Sequence, residues 1–235
     1  IASGNDNLLA ANIHYGSSNP GQPERPVDVP YEINGVVYYH NIYGEITGCE
    51  PGTNTELVVP AEMNGVKITS IGSDTFGSGA FGDCVRVESI TIPDGVTNIA
   101  NYAFERCRNL RFVNIPNGVK SIGLSAFANC ASLESVDIPN SVIEIGDNAF
   151  TGCTGLTNIK IPSSVTEIGG MAFAWCNSLT SIEIPDSVTS ILVGTFQGCD
   201  SLTTIKLPQN ITSIQPSTFF ECTNLKSVYI PAGVK

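Results

Sequence analysis

The residues most able to do chemistry in this chain are its eight cysteines, and seven of them, Cys84, Cys107, Cys130, Cys153, Cys176, Cys199 and Cys222, recur every 23 residues. Thiols at a fixed step suggest a disulfide ladder, a column of soft-metal ligands, or buried free thiols that pack as small apolar groups. Cysteines on neighbouring coils would have Cα atoms about 5 Å apart, inside the ~4.4–6.8 Å window of a disulfide. Side chains stacked in one column point the same way, however, so their Cβ atoms miss the usual approach of about 3.8 Å. Buried free thiols are the expectation; Cys49 stands outside the column and is open to either reading. The remaining catalytic vocabulary is thin. His14 and His40 are the two histidines, and neither has a Cys, Asp or His at metal-ligand spacing. There is no nucleophile elbow and no Gly-rich phosphate loop after a strand, and carboxylates on the strands occur singly. Gly123, Gly146 and Gly169 follow the repeat and read as turn residues. The expectation is a protein that is not an enzyme and that carries no cofactor or metal.

The frame that holds the cysteines is a repeat. Ile92, Ile115, Ile138, Ile161, Ile184, Leu207 and Ile230 each precede a proline at steps of 23 residues, and a Phe stands three residues before each cysteine of the column, from Phe81 to Phe219. One unit reads I-P-x-x-V-x-x-I-x-x-x-A-F-x-x-C-x-x-L-x-x-I-x. In "SLTSIEIP", Ile182 and Ile184 alternate with Ser181 and Glu183, the period of a strand with one buried face. Pro185 lacks the N–H that would extend the ladder and ends it. Ala172, Phe173 and Cys176, at i, i+1 and i+4, fall on one side of a helical turn, which predicts a short helix or 3₁₀ turn in each coil. A 23-residue unit cannot bury its own apolar face, but stacked copies merge each apolar column into a continuous core. The predicted architecture is a solenoid of about seven coils, roughly 34 Å long at a strand spacing of about 4.8 Å.

The stretch "IPSSVTEIGGMAFAWCNSLTSIEIP" resembles the leucine-rich repeats of BspA-like surface proteins, and the resemblance covers about residues 57–235. It implies a leucine-rich-repeat solenoid on a secreted or cell-surface bacterial protein. Because some members of that group adhere to host proteins or other cells, it also implies a protein partner, of the host or extracellular-matrix kind.

Residues 57–235 are therefore expected to form the solenoid. Residues 31–56, with Asn34-Gly35 between alternating apolar residues, are expected to form a β-hairpin that caps it, since an end coil otherwise exposes its core and an unpaired edge. Residues 1–30 read as a tail or linker: "GSSNPGQPERPVDVP" is dense in Gly, Pro and Ser, and "SGNDNLLAANIHYG" looks like the close of a preceding repeat block. The start without Met and the stop within a repeat suggest a piece of a longer protein. Between Val59-Pro60 and Ile92-Pro93 lie 33 residues, ten more than the period, and the extra residues in "AEMNGVKITSIG" and "SDTFGSGAFGDC" are expected to bulge as loops.

Charge excludes one class of partner. Lys and Arg total 11 against 22 Asp and Glu, a formal net charge of −11, so the field repels phosphate backbones and anionic membranes. No apolar run approaches the ~20 residues of a membrane span. A monomer that binds no nucleic acid and does not insert into a membrane is expected. Outward strand positions form rows across the coils. In the row Thr91, Asn114, Asp137, Lys160, Glu183, Lys206, Tyr229 the middle members alternate in sign, which supports the stacking register. Phe112 breaks a row of small residues beside Arg111 and Asn114, and exposed aromatics and Arg are frequent binding hot spots. At about 100° per residue, Trp175 would lie roughly 107° from the inward direction of its turn, and the position of Ala174 and Phe220 roughly 153°. The candidate binding surface is thus Phe112, Arg111, Asn114, Phe220, Trp175 and Tyr229. Three functions compete: a protein-binding adhesive module, a structural spacer that projects other domains, and a weak glycan binder.

Overall fold

The structure is a computed structural model and describes residues 27–72 and 79–235. His14, nearly all of the expected linker and part of "SDTFGSGAFGDC" lie outside the described residues. Strands β1 (Val29–Ile33) and β2 (Val36–His40) pair antiparallel around Asn34-Gly35. Asn34 and Gly35 have φ of 51° and 74°, the backbone that a two-residue hairpin turn demands. Strand β3 (Glu45–Glu50) pairs antiparallel with β2 across a bulge at Tyr39/His40. After β4 (Glu56–Val58), the first insertion is not a plain loop. Its β5 (Glu62–Met63) and β6 (Val66–Lys67) form a small antiparallel ribbon about Asn64-Gly65, with φ of 50° and 79°. Strand β7 (Ser70–Ile71) then pairs parallel with β3.

From this point the chain lays down two short strands per coil. The pairs are β8 (Ser89–Thr91) with β9 (Asn98–Ile99), β10 (Phe112–Asn114) with β11 (Ser121–Ile122), β12 (Ser135–Asp137) with β13 (Glu144–Ile145), and β14 (Asn158–Lys160) with β15 (Glu167–Ile168). Strands β16 (Thr204–Lys206) and β17 (Ser227–Tyr229) follow. One parallel sheet runs β4-β8-β10-β12-β14, and a second runs β1-β2-β3-β7-β9-β11-β13-β15. From β8 onward the register equals the sequence period: Phe112 sits against Ser89, Val136 against Ile159 and Ile145 against Ile168. Val136 is buried between exposed Ser135 and Asp137, the alternation the sequence predicts.

Phenylalanines fill the centre. Phe81, Phe104, Phe127, Phe150, Phe173 and Phe196 are fully buried, and from Phe81 to Phe219 successive rings stack with interplanar angles of 2–17°. Tyr38 of β2 meets Phe81 edge-on at 6.4 Å and 71°. Edge and offset geometries are those that the ring quadrupole favours.

The corner that carries Ala, Phe and Cys contains no helix, and no helix is present among the described residues, so none crosses a membrane. The N–H groups of Ser125, Phe127 and Asn129 donate to Asp147, Ala149 and Thr151 of the next coil at 2.7–2.9 Å, whereas those of Ala126, Ala128 and Cys130 turn back to Gly123, Ser125 and Phe127 at 3.1–3.2 Å. Ser125 and Asn129 are left-handed, with φ of 52° and 61°. Inverting alternate peptides in this way sends half of the donors along the solenoid axis, while an α-helix would keep them all within its own coil. Ala172, Phe173 and Cys176 are buried as expected, but a chain of turns does it.

Gly123, Gly146 and Gly169 also differ from expectation. None has a positive φ. A Cβ on Gly123 would stand 2.6 Å from the Ala100 carbonyl carbon, and one on Gly146 2.8 Å from that of Gly123. They are glycine because adjacent coils touch there. The column continues with Leu192 and Gln215, and there the coils separate. Ring spacing rises from 5.0 Å at Phe104–Phe127 to 5.9 and 6.0 Å at Phe173–Phe196 and Phe196–Phe219. The second sheet ends at β15, leaving an Ile191–Ile214 bridge. The strand expected in "SLTSIEIP" shrinks to bridges at Glu183, flanked by Thr180 N–H to Thr157 O and Thr203 N–H to Thr180 O bonds of 3.5 Å.

Replacing Gly146 with Ala is expected to destabilise the chain by about 1–3 kcal/mol in urea denaturation, because backbone and not a flexible side chain stands in the way. Gln215→Ala, in the same column where the coils have parted, is expected to change stability by less than about 0.5 kcal/mol. Equal effects would show that close packing is not what selects glycine.

Candidate functional surface

All eight cysteines are free, as expected for the column. Packing is only part of their role. The thiols of Cys107, Cys130, Cys153, Cys176, Cys199 and Cys222 donate to the carbonyls of Phe81, Phe104, Phe127, Phe150, Phe173 and Phe196 in the preceding coil at 2.9–3.2 Å. Each carbonyl also accepts the N–H of its own coil's cysteine, as in Cys130 N–H to Phe127 O at 3.2 Å, so both lone pairs are used. Burial pushes the Cys84 thiol up to about 11 and those of Cys130 and Cys199 up to about 12, and it raises Cys153 and Cys176 well above the ordinary range. A thiol that stays protonated is a poor nucleophile. Among the described residues no group of three or more His, Cys, Asp or Glu is placed to hold a metal ion. His40 is buried, with Nδ1 3.2 Å from Asn41 O and Nε2 3.1 Å from Asn64 Nδ2. It ties β2 to the inserted ribbon.

The six candidate residues fall into separate places. Phe112 on β10 is 51% exposed, as a hot spot requires. Its two companions are already engaged. Arg111 gives Nε and Nη2 to Glu134 Oε1 at 3.0 and 2.6 Å, and its guanidinium carbon lies 5.5 Å from the Phe112 ring centroid. Asn114 accepts from Ile92 N–H at 2.8 Å and donates to Ile92 O at 3.1 Å, extending the ladder with its side chain. Val58, 68% exposed, shares the Asn114 row through Thr91 and was not singled out by the sequence. Tyr229, 66% exposed, lies on β17 at the other end of the same face. In its row the charges are neighbours, Asp137 by Lys160, Lys160 by Glu183 and Glu183 by Lys206. The ion pairs among the described residues are instead Arg106 with Asp83 and Glu105, and Arg111 with Glu134.

Trp175 and Phe220 sit on the turn side. Trp175 is left-handed at φ 61° in a column filled elsewhere by Asp83, Arg106, Asn129, Gly152, Gly198 and Glu221, all with φ of 60–69°. Helical geometry therefore does not place it. Ala174, expected to point furthest outward, is 1% exposed, whereas Trp175 is 41% and Phe220 55% exposed. A Cβ on Gly198 would run into the six-membered ring of Trp175, so the indole covers the next coil. Met171 repeats the arrangement at φ 54°, its Cγ 3.1 Å from where a Gly194 Cβ would be.

A hollow missed by the sequence opens where the glycine column ends. It measures about 370 Å³ and is lined by Asp147, Asn148, Gly170, Met171, Leu192, Val193 and Gln215. A trough of about 540 Å³ along β9, β11, β13 and β15 shares Asp147 and Leu192 with it. The readable signal was Leu192, the first large residue in a column of Ala100, Gly123, Gly146 and Gly169.

Residues 74–171 and 120–235 match the family described as BspA type leucine-rich repeat region, in six copies. A leucine-rich repeat protein from Bacteroides ovatus has a crystal structure similar to this chain at 34% identity and a TM-score of 0.76, over 87% of this chain and 54% of that one. This chain thus spans about half the length of that relative. The T. pallidum leucine-rich repeat protein is similar at 28% identity and a TM-score of 0.69, over 77% of this chain and 82% of that one. The pneumococcal vaccine antigen PcpA shares the fold at 16% identity and a TM-score of 0.53, over 89% of this chain and 72% of that one. No curated protein matches.

The thiol ladder gives stability a defined pH dependence. Folded-state pKa values raised above the ordinary 9 mean that the contribution is full below pH 9 and is lost as pH rises through about 11 to 12. The expected loss is up to about 1.4 kcal/mol per pH unit for each thiol that ionises only on unfolding. Urea midpoints measured from pH 7 to 11 check this; a flat profile above pH 9 would contradict it. Cys153→Ala is expected to cost about 1–3 kcal/mol, from the lost hydrogen bond and the space left.

Proposed function

We propose a function for a chain that belongs to the BspA type leucine-rich repeat family: it is a non-catalytic protein-binding module of a bacterial surface or secreted protein, adhesive in character. The repeat module itself is a protein-interaction fold. One observation carries the proposal: large apolar side chains stand exposed on a backbone whose own hydrogen bonds are met between coils. Phe112 and Tyr229, at 51% and 66% exposure, contribute no buried core, and a spacer needs neither of them. A solenoid supplies the extended, rigid face on which such anchors act together. In the same reading β1–β3 are the N-terminal cap, supported by Tyr38 meeting the Phe81 ring edge-on. Location at the cell surface is supported by the family resemblance, and the absence of catalysis by the protonated thiols and the engaged His40.

The test is a binding screen of the purified chain against host-matrix proteins, mucins and glycans. A protein on the panel is expected to bind saturably, and Phe112→Ala is expected to weaken that binding at least ten-fold while leaving the melting temperature unchanged. Absence of any binder would favour the spacer, and a glycan as the sole binder would favour the third reading.

A further inference from the structure

The trough and the hollow form one continuous depression, and its charge is one-sided. No Lys or Arg lines it, whereas Glu144, Asp147 and Glu167 do. Glu144 and Glu167 are direct partners on β13 and β15, and like charges directly opposite on neighbouring strands are unfavourable. None of the ion pairs among the described residues involves either carboxylate. Asp147 spends one oxygen on Gly170 N–H at 2.6 Å. At the C-terminal end of the depression the surface becomes apolar: Met171, Leu192 and Val193 are 40%, 39% and 46% exposed around the hollow. The trough follows the glycine column itself, and the hollow opens where Leu192 ends that column.

We propose that this depression binds an extended polypeptide segment in which lysine or arginine precedes or follows a large apolar side chain. The cations lie over Glu144, Asp147 and Glu167 and remove their mutual repulsion, and the apolar side chain fills the hollow between Met171, Leu192 and Val193. Charge complementarity selects this occupant: the net charge of −11 steers cationic chains toward the molecule and repels acidic ones. The assignment rests on the protein-binding reading above and names a second site for it, on a sheet different from the one that carries Phe112.

Calorimetric titration of the whole chain tests it with three acetylated 12-residue peptides: alternating Lys and Leu, alternating Lys and Ser, and alternating Glu and Leu. The Lys/Leu peptide is expected to bind one per chain and at least ten-fold more tightly than either counterpart. Glu144→Gln with Glu167→Gln is expected to weaken it at least ten-fold and to raise the melting temperature, since a repulsion is removed. Val193→Ser, at an exposed position, is expected to weaken it at least five-fold without altering stability, and Ser135→Ala on the other sheet to leave it unchanged. No binding of the Lys/Leu peptide, equal binding of the Lys/Ser peptide, or indifference to these variants overturns the proposal. The host-protein screen reads separately: a partner lost in Phe112→Ala but kept in Glu144→Gln/Glu167→Gln and Val193→Ser sinks this site and leaves the protein-binding reading standing.

Discussion

Every coil must hand half of its corner hydrogen bonds to the next coil, and the rest of the molecule is arranged around that obligation. Two left-handed residues per corner, Ser125 and Asn129 in the coil of Cys130, point alternate N–H groups along the axis. Once they do, the coils are fixed at one spacing and one register. Phenylalanine rings then stack at 5.0–6.0 Å, thiols reach the carbonyl one coil back, and a column of small residues becomes compulsory where backbones touch. The cysteine is suited to this place because it combines apolar bulk with a single weak donor.

Much of the fold was legible because a solenoid repeats its reasons. The 23-residue step gave the register of both sheets from β8 onward, and the apolar columns gave the core without exception in the coil of Cys130. The corner was misread since Ala, Phe and Cys at i, i+1 and i+4 suit any compact turn and do not single out a helix. The better signal lay in the column Asp83, Arg106, Asn129, Gly152, Trp175, Gly198, Glu221, where Gly and Asn mark left-handed backbone. Asn64-Gly65 carried the same hairpin signature as Asn34-Gly35 and was passed over because it sat inside an insertion.

The surface was less legible, for a different reason. Exposure of Phe112, Trp175 and Tyr229 follows from their place in the frame. The commitments of Arg111 to Glu134 and of Asn114 to the Ile92 backbone depend on where long side chains settle across coils, which a column of letters does not encode. The hollow beside Leu192 is a collective effect: one branched side chain in a glycine column alters the distance between whole coils, so the position that shapes the surface is a break in pattern and not a chemically distinctive residue.

The slackening after Gly169 has a mechanical consequence. A solenoid pulled along its axis bears the load on the hydrogen bonds between coils, in series, so it parts at its weakest junction. Thr180 and Thr203 bond their neighbours at 3.5 Å, against 2.8 Å for Arg111 N–H to Glu88 O and 2.9 Å for Lys226 N–H to Thr203 O. On the face that carries Phe112 the load thus falls on its longest bonds at the coil of Cys176, and the corner of that coil, with Trp175 N–H to Gln197 O at 2.6 Å, has to carry what the sheet does not.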